Sequence, residues 1–392
     1  MTRIAVIGLG NVGLANAVLL ARRYSVVAMD IQTERVSMVN SRSYPGVETL
    51  LSDALDGSGL DLRATTSFAD AVRDAEYVLI ATQTDLDPET NKLDTNAIEA
   101  TIKATLTADP NTVVVIRSTI PVGFVEKCRV EFNSDRIIFC PEFLRQDHAY
   151  FDCLHPSRIV VGDRSEKGAK FARLLADCCE GKEVPILLTN TSEAEAVKLF
   201  SNSYLAIRVA FFNELDSFAM SHGIDTAQII SGVSLDPRIG KHYNAPSFGY
   251  GGNCLPKDTK QLLTDFANIH HALMEAVVAS NQSRTDFLVE SILSLEPNIV
   301  GIYRPETSGD TWSNSAELGI IRGLMNQGVS VVLYELPAGG SNTHQARIIR
   351  DLATFKAESD MILCDRYAPE LHDVAHKIWT RDINFPRGSG VS

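Results

Sequence analysis

The chain has 392 residues and a mass of 42.8 kDa, and its 45% hydrophobic and 22% charged content excludes disordered, collagen-like and low-complexity architectures. A formal net charge of -13, from 36 Lys+Arg against 49 Asp+Glu with no basic patch, argues against nucleic acid as a partner. Seven cysteines without a CxxC pair argue against a disulfide framework and against a metal site, and no apolar run reaches the roughly 18 residues that span a bilayer, so a cytoplasmic protein without membrane contact is expected.

Taken in chain order, Arg3–Gly8 is a short β-branched run that meets glycines and turns helical through Leu14, Ala17, Val18 and Leu20. Further apolar runs follow at Val26–Met29, Tyr77–Ala81, Thr112–Ile116, Ile137–Phe139 and Ile159–Val161, each separated by a helical or loop stretch. Such alternation predicts a parallel sheet covered on both faces. The region from Asn190 to Leu295 reads mostly as helix, opened by a capping-box pattern at Ser192-Glu193-Ala194-Glu195 and including a second long run over His271–Leu295. From Asn298 the alternation resumes, with strands expected at Ile299–Tyr303, Val329–Tyr334 and Asp360–Cys364 and helices at Ala316–Met325 and Ile348–Phe355. The predicted class is α/β, with two Rossmann-like doubly wound domains joined by a central long-helix region. The expected boundaries are 1–188, 189–296 and 297–385, followed by a disordered Gly/Ser-rich tail at 386–392.

The first chemical signal is Gly8-Leu9-Gly10-Asn11-Val12-Gly13, a GxGxxG set between a predicted strand and a predicted helix. Its glycines suit a tight turn, close approach to a pyrophosphate and tight helix packing, and the helix N-terminus favours phosphate. The second strand ends in Asp30, twenty residues after Gly10, where a carboxylate can accept from ribose hydroxyls and repel a 2′-phosphate. NAD is therefore favoured over NADP, although Arg22, Arg23 and Arg35 lie near enough in sequence to neutralise a 2′-phosphate.

The second signal is Phe248-Gly249-Tyr250-Gly251-Gly252-Asn253-Cys254-Leu255-Pro256-Lys257-Asp258. Glycines strip side chains from the backbone before Cys254, and Pro256 suits the first turn of a helix, so the thiol is presented at a helix N-terminus. The helix dipole and the Lys257 cation favour a thiolate nucleophile, and Asp258 is placed to orient water or accept a proton. Lys198 and Asn202, four residues apart, share a helix face with Leu205, Val209 and Phe212. They either point inward, where ammonium and amide would serve an oxyanion, or the lysine snorkels to solvent. Thr119 and Glu142 each follow a predicted strand, where parallel sheets bind ligands. His148, His155 and His242 form no triad or ligand spacing and are expected at the surface.

Together with Pro141-Glu142-Phe143-Leu144-Arg145, Glu193–Asn202 and Leu235-Asp236-Pro237-Arg238-Ile239-Gly240, these motifs closely resemble the UDP-glucose 6-dehydrogenases within the nucleotide-sugar dehydrogenase family. The resemblance runs from the Gly8 turn to Thr380-Arg381-Asp382. It implies a two-step NAD-dependent oxidation of a sugar C6 alcohol to a carboxylate, with Cys254, Lys198, Asn202, Asp258, Glu142 and Thr119 catalytic. It implies NAD contacts at Gly8, Gly10, Asn11, Val12, Gly13, Asp30, Arg35, Thr84, Thr119, Gln146 and Lys257. Sugar-nucleotide contacts are implied at Glu142, Phe143, Leu144, Arg145, Lys198, Asn202, Tyr243, Asn244, Ser247 and Gly251, with Arg238 reaching the substrate of a second subunit in a homodimer.

Three departures bear on the substrate. Pro305–Ser313 lacks the lysine and arginine that face UDP in bacterial relatives, Gln146 replaces a glutamate, and Gln83 replaces a proline. They leave open another sugar nucleotide, such as UDP-N-acetylmannosamine or GDP-mannose, or a catalytically silent binding protein.

Overall fold

The computed structural model describes residues 2–57, 59–87, 89–181, 183–252, 254–304, 315–334, 346–366 and 368–385. By packing, the chain divides into two compact units, Met1–Phe200 and Ser201–Ser392, with the division inside one continuous helix, Thr191–His222. The Pro305–Ser313 segment and the 386–392 tail lie outside the described residues.

The first unit is built on a six-stranded parallel sheet of β1 (Arg3–Ile7), β2 (Ser25–Met29), β3 (Leu62–Thr65), β4 (Tyr77–Ile80), β5 (Val113–Ile116) and β6 (Ile137–Phe139). The spatial order is β3-β2-β1-β4-β5-β6, so the sheet reverses direction of growth between β1 and β4. That switch point is where doubly wound sheets hold dinucleotides. The β-branched composition of β1 follows from burial on both faces. Ile4 and Val6 pack with Leu14, Val18 and Phe171, while Ala5 and Ile7 pack with Ala71, Val72 and Val78.

Two sequence expectations need correction here. Ile159–Val161 forms a strand, β7, but pairs with β8 (Ile186–Leu188) in a separate two-stranded sheet. β3 escaped the apolar-run reading because it alternates, with Leu62 and Ala64 buried and Arg63 exposed at the sheet edge.

The second unit carries helices Leu255–Asp265 and Leu273–Leu293 and a five-stranded parallel sheet, in the order β11-β10-β9-β12-β13. Its strands are β9 (Ile299–Tyr303), β10 (Ser330–Tyr334), β11 (Arg347–Ile349), β12 (Met361–Leu363) and β13 (Ile378–Trp379). On one face Val300 and Ile302 pack against Leu288, Ile292 and Ile321. Gly301 points to the other face, where a Cβ would lie 2.7 Å from the Phe355 ring. The helix expected at Ile348–Phe355 instead begins after a strand. Arg347-Ile348-Ile349 forms β11, paired parallel to β10, and Asp351 then accepts from the Thr354 N–H at 2.8 Å and caps the helix Leu352–Glu358.

Candidate functional site

In the first unit the glycine turn has the shape a dinucleotide requires. Gly8 adopts φ +96°, and a Cβ there would approach the Ala81 carbonyl oxygen to 2.7 Å. A Cβ on Gly13 would fall 1.8 Å from the Gly8 carbonyl oxygen, so the helix Asn11–Ala21 can start this close to β1 only with glycine there. Gly10 is different, because nothing lies within 4 Å of a Cβ built on it. The open space is beside the helix N-terminus, where a pyrophosphate would sit. Asn11 is exposed and Val12 half-buried beside it.

Asp30 directly follows β2 and is buried. Its Oδ2 accepts the Leu9 N–H at 2.7 Å and its Oδ1 the Gln32 N–H at 2.9 Å, which fixes the carboxylate against the glycine turn. Arg35 donates to the same Oδ2 at 3.4 Å, and this local pairing answers the question of where its charge goes. Arg22 is occupied elsewhere, by Glu180.

Thr84, after β4, donates from Oγ1 to the Thr119 carbonyl at 3.1 Å, and both residues are buried. Glu142, after β6, meets Lys198 of the long helix. Lys198 Nζ donates to Glu142 Oε1 at 2.8 Å and to its carbonyl at 2.7 Å, and Glu142 Oε2 accepts the Leu144 N–H at 2.8 Å. Lys198 is only 3% exposed, so it does not snorkel. Burial alone would raise the Glu142 carboxyl, but the Lys198 charge and hydrogen bond, the Leu144 N–H and the charge of Arg117 hold it below the ordinary range. Phe143 stacks under Arg158 at 3.8 Å, and exposed Arg145 pairs with Asp152 through two bonds of 2.6 and 3.0 Å. Gln146 opens a short 3-10 turn, Gln146–His148.

The capping-box expectation fails in an informative way. Glu195 does not turn back to its own helix start. Its two oxygens accept the Gly123 N–H at 2.6 Å and the Val125 N–H at 2.9 Å, at the start of the helix Phe124–Glu131. Gly123 is in the left-handed region and has no side chain with which to cap that helix.

In the second unit Cys254 stands at the N-cap of the helix Leu255–Asp265, with Pro256 in the first turn, as the glycine and proline pattern predicted. It is exposed, with Lys257 half-buried one residue past the proline. Asp258 is fully buried in the same first turn, its N–H donating to the Cys254 carbonyl at 3.0 Å. Asn202 donates from Nδ2 to Asp258 Oδ2 at 2.5 Å, so the amide sets the direction of that carboxylate.

The segment before Cys254 is braced from beneath. Ser247 gives its N–H to Asn213 Oδ1 at 2.9 Å, and its carbonyl accepts from Arg284 at 3.1 and 3.2 Å. Arg284 in turn pairs with Asp216 at 2.6 Å, and Arg381 donates to the same Oδ2 at 2.8 Å. Burial would raise the Asp216 carboxyl, yet the two guanidinium groups hold it low. Asn244 donates to Ser234 Oγ and the Gly240 carbonyl, both at 2.7 Å, and accepts from Arg208 at 2.6 Å. Tyr243 is exposed at φ +58°, Gly251 is half-buried, and Arg238 lies exposed against Asp236 at 2.6 Å. Asn213, Asp216, Arg208 and Arg284 were not singled out from sequence. A polar or charged side chain on an otherwise apolar helix face was the available signal.

Residues 2–177 match the NAD binding domain of the UDP-glucose/GDP-mannose dehydrogenase family, and residues 192–283 match its central domain. The chain belongs to that family. It is 42% identical over 389 residues to the UDP-glucose 6-dehydrogenase of Streptococcus pneumoniae, covering 97% of this chain and 99% of the relative. The corresponding enzyme of Campylobacter jejuni subsp. jejuni is 39% identical, over 98% of this chain and 99% of the relative. A solved UDP-glucose dehydrogenase from the hyperthermophilic archaeon Pyrobaculum islandicum superposes with a TM-score of 0.82 at 27% identity, covering 93% of this chain and 89% of that one. This family member is therefore an NAD-dependent nucleotide-sugar dehydrogenase, and the open cradle at Gly10 beside buried Asp30 fits its cofactor. Among the described residues no helix is long and apolar enough to cross a membrane.

Proposed function

We propose that this dehydrogenase oxidises UDP-glucose to UDP-glucuronate in two steps through a covalent adduct on Cys254. The observation that carries the reading is the exposed thiol at a helix N-terminus, one turn from a buried Asp258 that Asn202 orients. A thiol has no role in a single alcohol oxidation. It has one when an aldehyde must be held and oxidised again.

NAD, when bound, accepts one hydride from the sugar carbon at each of the two oxidations. In the first, the C6 hydroxyl loses its proton to a side-chain base as the carbon gives up hydride, leaving an aldehyde. Cys254 Sγ gives up its proton and forms a bond to the aldehyde carbon, the carbonyl π electrons move to oxygen, that oxygen takes up a proton in exchange, and a thiohemiacetal results. Loss of the second hydride and of the hydroxyl proton gives a thioester. Water adds to its carbonyl, the C–S bond breaks, and carboxylate and thiol are released. Two NADH form per sugar nucleotide and one water is consumed.

Within this scheme Lys198 and Asn202 stabilise the oxygen that becomes negative when sulfur or water adds. Asp258 takes the proton of the hydrolytic water, and Glu142 with Thr119 assists proton transfer and hydrolysis. Gly8, Gly10, Asn11, Val12, Gly13, Asp30, Arg35, Thr84, Thr119, Gln146 and Lys257 serve the cofactor. Glu142, Phe143, Leu144, Arg145, Lys198, Asn202, Tyr243, Asn244, Ser247 and Gly251 serve the sugar nucleotide. The three functional segments are 1–188, 189–296 and 297–385, and the reaction is placed in the cytoplasm, where NAD and nucleotide sugars are supplied.

The functional assembly in this reading is a homodimer. Tyr204, Phe211 and Phe218 recur every seven residues on the long helix and are 59%, 58% and 56% exposed. Rings on one stripe suit a second copy of the same helix, and exposed Arg238 suits a substrate held by that copy.

The deciding experiment supplies NAD with UDP-glucose, UDP-N-acetylmannosamine and GDP-mannose in turn and follows NADH absorbance. Two NADH per UDP-glucose is expected. Preference for another sugar would reassign the substrate, and no turnover with any of the three would sink the enzymatic reading.

A further inference from the structure

Arg117 leaves β5 into the loop that carries Thr119, and its guanidinium is buried. From Nη1 it donates to the Cys140 carbonyl at 3.0 Å and the Pro141 carbonyl at 3.4 Å, and contacts Cys140 Sγ at 2.9 Å. Among the described residues no carboxylate forms an ion pair with it, and its Nε has no hydrogen-bond partner. A buried cation without a paired anion is costly, and such costs persist where the charge has a use.

The anion whose field it shares is Glu142, two residues beyond Cys140. Burial would lower the Arg117 pKa, but the fields of Cys140, Cys153 and Glu142 leave it raised, and Arg117 is one of the groups that lower Glu142. Facing this cluster are Lys198 from the long helix, Arg117 from the β5 loop, Cys140 at the end of β6 and Cys153 from the helix Ala149–Leu154. Burial pushes both thiols up, Cys153 to about 12, so they stay neutral and the charges are two cations on one carboxylate.

We propose that Arg117 is a positioning residue for Glu142. It pins the Cys140–Pro141 backbone that delivers Glu142 to Lys198, and it places a second positive charge behind that carboxylate. Glu142 therefore enters each cycle as a proton acceptor, even while Lys198 turns its ammonium toward a substrate oxygen. This rests on the proposed role of Glu142.

The test is the pH dependence of kcat in Arg117→Gln, Arg117→Lys and Cys140→Ala, beside Glu142→Gln. Arg117→Gln is expected to move the acid limb upward by about one pH unit, an extra loss of about tenfold at a pH below both limbs. Arg117→Lys keeps the charge and restores the limb, and Cys140→Ala leaves it where it is. A uniform fall in kcat with an unmoved limb in Arg117→Gln would overturn the proposal. Were that variant not to fold, Cys140→Asp, which sets a counter-charge against the guanidinium, should raise the limb in the same way, and an unmoved limb there is equally fatal. An acid limb that survives in Glu142→Gln would show instead that the assignment of Glu142 is at fault.

Discussion

At the residue scale the proposed chemistry turns on a sulfur atom and on the groups that aim the residues around it. Cys254→Ala should abolish the four-electron oxidation, with NADH formation per UDP-glucose as the measure, and Cys254→Ser should at most build a slow ester that mass spectrometry detects on the protein. Turnover at the wild-type rate in the alanine variant would rule out covalent catalysis here. The placement of Cys254, Lys198, Asn202 and Glu142 was legible in the sequence because its signals are local: glycines before a thiol and a proline after it, two polar groups one helical turn apart, a carboxylate at a strand end. Arg284 and Arg381 were not, because Asp216 lies 68 and 165 residues away from them in the chain. Long-range ion pairing leaves no spacing to read.

At the element scale, one helix start borrows its cap from another helix. Phe124–Glu131 begins after a glycine, and the acceptor for its first N–H groups is Glu195, inside the first turns of Thr191–His222. Burial raises this carboxyl to about 7, against the lowering effect of the Val125 and Gly123 N–H groups. A carboxyl raised in the folded state adds stability that is fully present below its unfolded pKa and is lost as pH rises through the folded value. Between about pH 4.5 and about pH 7 the wild type should therefore lose roughly 2–4 kcal/mol relative to Glu195→Gln, which cannot titrate. Denaturant unfolding of both proteins across that range measures the difference, and parallel stability curves would contradict it. The capping-box pattern was misread because sequence shows a glutamate near a helix start without showing which helix start it serves. Strands β3 and β11 were missed for a related reason. Each is short and lies at a sheet edge, where exposed arginines interrupt the apolar signal.

At the scale of the whole molecule, the alternation of strand and helix predicted both parallel sheets, because strands buried on both faces read as unbroken apolar runs. The exposed rings of the long helix were not separable from its buried ones by period alone. Phe212 is 1% exposed while Phe211 beside it is 58% exposed. In a two-fold assembly each contact occurs twice, so losing one buried phenylalanine costs about 3–6 kcal/mol of association, at about 1.5–3 kcal/mol per ring. Phe211→Asp should accordingly weaken a dimer by at least a hundredfold in sedimentation velocity. A wild-type protein that sediments as a monomer at micromolar concentration would remove the dimer from the proposal.

The distribution of thiols across the chain has a practical reach of its own. Cys128, Cys140, Cys153, Cys178 and Cys364 are buried, Cys179 is partly so, and burial raises all six. An alkylating reagent or a peroxide therefore meets Cys254 first. With Cys254 as the proposed nucleophile, inactivation and reagent uptake should run in parallel at one equivalent per chain, so that a thiol titration would count competent active sites in any preparation. It also makes the proposed nucleophile the point at which oxidative stress would silence the protein while its fold stays intact.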